Sequence, residues 1–431
     1  MKNSLEDHSP ANPINHPTST GRNIRWYVFT GIFAIVVVNF IDRTALSIAM
    51  PTIANEFALS PVMQGLILSA FFWSYALLQI PGGWLLDRYG ARATITASTV
   101  GWGLFQTIAA ATTGGVSLLL CRIGLGAFEA PLFPAGAKLN AAWLPPHERG
   151  RGAVIMDCGA PLGAAIGGIV IAGLIAAFDS WRIAFAVAGV ATILLGYAAW
   201  RLLRDTPALH GQVSAAELAI IEQSADNETH QSSAAAQPAM KLRSIIAIVV
   251  GRMSWAMINF GLLTWGPSYL AQARHLNLKE LGGATFVMFG AGMLGSLCSG
   301  FLADALQARG VRRPIAYKSL LGISGAGLAL AFVMLPQVSD VVAAVALLTV
   351  TQFFLWFGSL YWSLPALLAP KERVGLVGSM MNFAGSASGI AIPIIAGYIL
   401  QQTGTYEAVI MFFAACAAVY MLSTLTIAIK D

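Results

Sequence analysis

Gly83-Trp-Leu-Leu-Asp87-Arg88-Tyr-Gly90-Ala-Arg92 is a short charged hinge between two long apolar runs. The chain repeats it in looser form as Gly300-Phe-Leu-Ala-Asp304, followed by Arg309, Gly310, Arg312 and Arg313. The paired glycines and the paired aspartates each stand 217 residues apart in a chain of 431. Two halves of similar design are therefore expected, each with its hinge after its second apolar run.

The composition tells what surrounds the hinges. Hydrophobic residues make up 57% and charged residues only 10%, against about a quarter charged in an average soluble domain. Mean hydropathy is +0.69. Such a chain cannot cover a water-facing surface, so it reads as an integral, all-α membrane protein. The net charge of +5 does not indicate nucleic acid, because Lys and Arg sit in short clusters between apolar runs. Cys121, Cys158, Cys298 and Cys416 lie inside those runs, which argues against a disulfide scaffold. The histidines show no metal-ligand spacing, so no metal and no other cofactor is expected.

A membrane helix needs about 20 apolar residues. Twelve segments qualify, at approximately 27–51, 62–86, 93–113, 115–140, 150–176, 181–203, 243–270, 281–305, 314–336, 340–368, 373–400 and 405–428. They imply a polar tail over 1–26, a six-helix bundle over 27–203, a central loop over 204–242 and a second bundle over 243–431. No cleavable signal peptide is read. With the N-terminus inside, 18 of the 25 basic residues face the cytoplasm and only Arg182, Arg274 and Lys279 face out, so both termini are expected to be cytoplasmic. Internal repeats of this kind are a common plan of alternating-access transporters.

Arg43, Arg122, Lys138 and Arg252 fall within spans. An ionisable group at that depth is costly and marks a functional hypothesis. Counting about 1.5 Å per residue, Arg43 and Arg122 reach a similar level, slightly outside the midplane. Two guanidiniums converging there suit a carboxylate. The alternative is internal neutralisation. Asp42 and Arg43 are adjacent and diverge by about 100° on a helix, whereas Arg122 and Glu129 share a face, so partial pairing between those two stays open. Asp42 and Glu129 are the proton-carrier candidates, since loading an anion onto the arginines favours protonation of a neighbouring acid. Asp157 is a third titrating candidate or an internally bonded helix residue. Arg252 and Lys138 read as side chains that snorkel to the surface.

Polar groups at helical spacing mark possible cavity faces: Asn39 one turn before Arg43, Tyr75 with Gln79, Asn382 with Ser386, and the stripe Gln352, Trp356, Ser359, Ser363. Helix-to-helix hydrogen bonding is the plainer reading for the serines.

The Gly83–Arg92 phrase resembles the signature loop of the major facilitator superfamily, and the second copy with its twelve spans extends the resemblance over the whole chain. That resemblance implies a conformational gate at Gly83, Asp87, Arg88, Gly90, Arg92 and Asp304. Asp42-Arg43, the Arg122–Pro134 stretch with Glu129-Ala-Pro-Leu-Phe-Pro, Pro146–Arg151 and Trp265–Tyr269 resemble the anion:cation symporter branch. Carriers of that branch take up galactonate, hexuronates, glucarate and related organic anions with protons. By matching position the resemblance assigns anion binding to Arg43 and Arg122, proton coupling to Asp42 and Glu129, and further pocket roles to Tyr75, Ser359, Trp362 and Asn382. Ala160 departs from the pattern, since sugar-acid carriers often place Gln there.

The expected protein is thus a multi-pass carrier of the bacterial inner membrane, not an enzyme. It imports a small organic anion, a sugar acid or other carboxylate, by proton symport. Its partners are that anion, protons and the bilayer, with no nucleic acid, and it works as a monomer. The alternatives are an anion exchanger or a drug exporter of the same fold, which the run from Gly159 partly suggests, and a transporter-like membrane sensor.

Overall fold

The computed structural model describes residues 23–145, 148–222, 242–365 and 374–428. The expected tail lies almost entirely outside the described residues, and so does the stretch 223–241 of the central loop. What is described is helical, with no strand among the described residues. Lipid offers no hydrogen-bond partner for peptide groups, so a spanning segment must satisfy its own backbone.

The helices are α1 (Ile24–Glu56), α2 (Pro61–Ala109), α3 (Gly115–Glu129), α4 (Leu132–Trp143), α5 (Arg149–Phe178) and α6 (Trp181–Leu202) in the first half. The second half holds α7 (Leu242–Gln272), α8 (Leu278–Ala308), α9 (Arg313–Met334), α10 (Val341–Leu355), a 3₁₀ stretch (Trp356–Ser363), α11 (Val374–Thr403) and α12 (Glu407–Thr426). Among the described residues, eleven helical segments are long and apolar enough to cross a membrane. One of them, α2, has 49 residues, about 73 Å of helix against a hydrocarbon core of about 30 Å. It crosses twice, which restores twelve spans.

The fold of α2 is made at Gly90, whose φ of 82° and ψ of 167° are not helical. The hinge phrase is therefore helix on both sides of a single left-handed residue, not an open loop. Asp205, just past α6, completes this corner by accepting the Arg92 N–H at 3.0 Å. The second copy makes the same kind of turn at Gly310, φ 81°, three residues later than strict repetition places it.

Several helices start on side-chain caps, all at the ends away from the termini. Ser60 accepts from Met63 N–H with Pro61 following, Ser180 accepts from Ile183 N–H, and Asp340 accepts from Ala343 N–H. Asn277 and Glu280 form a reciprocal capping box. Each satisfies backbone donors that a helix start leaves open.

Contacts between the halves concentrate in this far region. A Cβ on Gly65 would lie 2.5 Å from the Pro393 carbonyl oxygen, and one on Gly282 would lie 2.9 Å from the Ala172 Cβ. Ser69 Oγ donates to the Ile390 carbonyl at 2.8 Å. Small residues let the backbones of α2 and α11, and of α5 and α8, approach closely. Nearer the middle, Asn382 Nδ2 donates to Gln79 Oε1 at 2.9 Å across the same divide.

Two sequence expectations need correction. Span four is not one helix: it breaks after Glu129, where Pro131 has no N–H to continue the ladder. Span ten tightens to 3₁₀ geometry from Trp356, so the stripe from Gln352 to Ser363 does not form one α-helical face.

Candidate functional site

α1 carries Asn39, Asp42 and Arg43 to the middle of the first half, and all three are buried. α3 brings Arg122 and, as its last residue, Glu129, both also buried. Arg43 Nε donates to Glu129 Oε2 at 2.8 Å. The sequence reading left open a partial pairing of Glu129 with Arg122; the direct ion pair is with Arg43 instead. The pairing leaves Glu129 Oε1, Arg43 Nη2 and Arg122 Nε buried without a hydrogen bond among the described residues. The Asn39 amide approaches Glu129 without reaching hydrogen-bond geometry.

The Phe71 ring lies close to both cations. The Arg43 guanidinium carbon is 4.4 Å from its ring centroid and that of Arg122 is 5.3 Å away. Tyr75 stacks on Phe71 at 5.3 Å and lies 4.9 Å from the Arg43 guanidinium. Aromatic faces attract cations without consuming their N–H donors. The arginines are thus held in place while donors remain free, and the uncommitted guanidinium is that of Arg122.

Asp42 faces another way, as the angle between neighbours on a helix requires. Its Oδ2 accepts from Thr192 Oγ1 at 2.8 Å and from Trp102 Nε1 at 3.1 Å, between α1, α2 and α6. Neither Trp102 nor Thr192 carries a sequence signal that pairs it with Asp42. Phe71 was equally unmarked, one apolar residue among many.

The other predicted positions divide. Gln79 and Asn382 meet each other across the halves. Ser359 lies 3.2 Å from Ser299 on α8, so its hydroxyl joins helices of the second half. Trp362 lies 4.8 Å from the Arg252 guanidinium, with Trp255 at 4.1 Å. Arg252 does not snorkel: its Nε and Nη1 are buried without a hydrogen bond among the described residues. The Asp157 carboxylate, from the opposite half, lies within electrostatic reach of it.

The hinge residues form a separate surface. Asp87 Oδ1 accepts from Lys138 Nζ at 2.9 Å, so Lys138 pairs instead of merely reaching for water. Arg88 lies over Trp84 and Tyr89, and Arg92 over Trp200 at 3.8 Å. Gly83 has open space around it, and Asp304 is exposed. None of these residues touches the Arg43–Glu129 cluster. No group of three or more metal-ligating side chains is found among the described residues.

Two packed six-span halves, one with buried arginines in its interior, define a multi-pass membrane protein built as a transporter. The Major Facilitator Superfamily model matches residues 32–393, and the chain belongs to that family. It is 31% identical over 420 residues to the probable galactarate/D-glucarate transporter GarP of Escherichia coli (strain K12), covering 93% of this chain and 94% of the relative. Identity to a D-galactonate transporter of Escherichia coli is 32%, over 95% and 96% of the two chains. A probable sulfoacetate transporter, SauU, of Cupriavidus necator is 31% identical, with 93% of each covered. Among solved structures, a bacterial homologue of the lysosomal transporter Spinster, inward-facing and occupied, superposes with a TM-score of 0.71 at 18% identity, over 94% and 93% of the chains. The family and the relatives named above are transporters, not enzymes.

Proposed function

We propose that this transporter carries a small organic anion, a sugar acid or another carboxylate, together with a proton, by alternating exposure of the Arg43–Arg122 site. One observation carries the reading. Glu129 occupies one side of Arg43 while Arg122 holds no carboxylate directly. An incoming carboxylate takes the free donors of both arginines, using the bidentate fork that Arg provides. It thereby competes with Glu129 for Arg43. A carboxylate that loses its cation partner in a low-dielectric site is more readily protonated, so anion and proton load together. The relatives named above as sugar-acid transporters support the choice of substrate class.

Asp42, held by Trp102 and Thr192, stands beside the site as the second proton-carrier candidate. In this reading both termini are cytoplasmic, which the basic residues between spans support, and the tight far region of the halves is then the closed external side. The bacterial inner membrane is the setting, and a monomer is sufficient.

The test is uptake of labelled sugar acids into proteoliposomes, with and without an inward proton gradient. Gradient-driven accumulation by the wild type, converted to exchange alone in Glu129→Gln, supports the reading. Gradient-insensitive exchange by the wild type contradicts symport and favours an exchanger.

A further inference from the structure

Asn39 is fully buried, and neither polar atom of its side chain has a hydrogen bond among the described residues. An amide left unpaired at both ends away from water is costly, so the position calls for a partner. That partner stands close by. Asn39 is one turn before Arg43 on α1, and side chains at that spacing are neighbours on one face. The Arg43 side chain runs back over this turn, since its guanidinium carbon lies 4.8 Å from the ring centroid of Phe40. Glu129 meets Arg43 there, with Oε2 accepting from Nε at 2.8 Å. Its other oxygen, Oε1, is buried and unpaired as well. Two atoms of Asn39 and one of Glu129 thus lie unpaired around a single ion pair.

The chemistry of the two groups shows when they match. A carboxylate only accepts hydrogen bonds, whereas a carboxylic acid and a primary amide each present a donor beside an acceptor. Ionised, Glu129 can use an Asn39 N–H but has nothing to give the Asn39 carbonyl. Protonated, it pairs with both, its O–H donating to Oδ1 while Nδ2 donates to the other carboxyl oxygen. The charged and titratable groups around Glu129 are Arg43 and Asp42 on α1, Arg122 on α3 and, beyond Arg43, Tyr75 on α2. The arginines accept no hydrogen bond, and Asp42 turns toward Thr192 and Trp102. Asn39 adds to them a neutral group that receives a hydrogen bond from a new proton and returns one.

We propose that Asn39 is a positioning residue of proton coupling: once an anion has drawn Arg43 away, Asn39 holds the protonated Glu129 through this paired contact. The proposal rests on the symport reading and deepens it, giving Glu129 one seat on Arg43 when the carrier is empty and another on Asn39 when it is loaded. The proton comes from solution and adds to one Glu129 oxygen, and the anion replaces Glu129 on Arg43. For a monoanion the net charge of the site is then the same empty and loaded.

The experiment follows binding of D-galactonate and of D-glucarate to the purified full-length carrier across pH, with proton uptake recorded in weak buffer. Asn39→Leu keeps the bulk and removes both hydrogen-bonding groups. A group whose protonated form has lost its partner takes up its proton only at lower pH. The alkaline limb is therefore expected to move about one to two pH units lower, as two neutral hydrogen bonds account for. At acid pH, where Glu129 is protonated throughout, anion affinity stays within about twofold of the wild type. Asn39→Ser, whose hydroxyl also donates and accepts, shifts the limb less and carries the test if Asn39→Leu does not fold. Affinity lowered equally at every pH makes Asn39 a substrate contact and overturns the proposal, and so does an unmoved limb; both leave the symport reading standing. A wild type that binds either anion without proton uptake overturns the symport reading and the proposal with it. One that binds neither overturns the sugar-acid reading as well.

Discussion

Asp42 and Arg43 are chain neighbours with opposite surroundings, and both are buried. The helical angle between them was readable in advance, and it sends one side chain to Glu129 and the other to Trp102 and Thr192. Trp102 and Thr192 were not readable as partners of Asp42, because they come from 60 and 150 positions away and look like ordinary apolar or small residues. Thr192→Val removes a donor from a buried carboxylate at nearly constant volume. It is expected to cost about 1–3 kcal/mol, read as a lower unfolding temperature of the purified carrier, whereas an unchanged temperature argues that Asp42 is not held by this bond. Arg43→Lys keeps the charge and loses the fork that serves Glu129 and a substrate together. Uptake is expected to fall at least about tenfold, which a charged hydrogen bond accounts for; transport at the wild-type rate would remove Arg43 from the site.

At the scale of the element, the hinge phrase shows what each of its residues does. Gly90 is required by its conformation: φ is 82°, and a Cβ there would meet the Asp205 carboxylate at 2.6 Å. Gly83, seven residues earlier, has nothing within 4 Å. Gly90→Ala is therefore expected to destabilise by about 1–2 kcal/mol, while Gly83→Ala changes the unfolding temperature little; equal effects would show that the corner does not depend on the left-handed residue. The existence of twelve spans was legible because twenty-residue apolar runs leave few other readings. The breaks were less so. Pro131 gave a sign of the interruption after Glu129, but nothing in Trp356–Ser363 announces a 3₁₀ stretch, which arises from packing such as Trp255 Nε1 on the Leu355 carbonyl at 2.5 Å. Arg252 shows the same limit, since its aromatic clamp draws on a distant element.

Across the whole molecule, the halves are joined where α5 meets α8 and α2 meets α11, and the proposed alternating access requires those seams to part. Ala172 and Gly282 face each other there at a separation that a disulfide can adopt after slight adjustment. The variant Ala172→Cys/Gly282→Cys, in a background lacking the four native cysteines, is expected to stop transport on oxidation and to recover it on reduction. Continued transport by the cross-linked carrier would show that the halves do not separate at this seam. The internal repeat made the two-half plan readable, whereas the side that closes had to come from the packing of small residues.

The exchange of Arg43 between Glu129 and an arriving carboxylate is the step on which the account turns. Proton uptake on anion binding tests it most directly, measured in weakly buffered solution with the purified carrier and a sugar acid that it binds. About one proton taken up per anion bound by the wild type, and none by Glu129→Gln with binding retained, is the predicted result. Binding without proton uptake by the wild type, or uptake undiminished in Glu129→Gln, would contradict it.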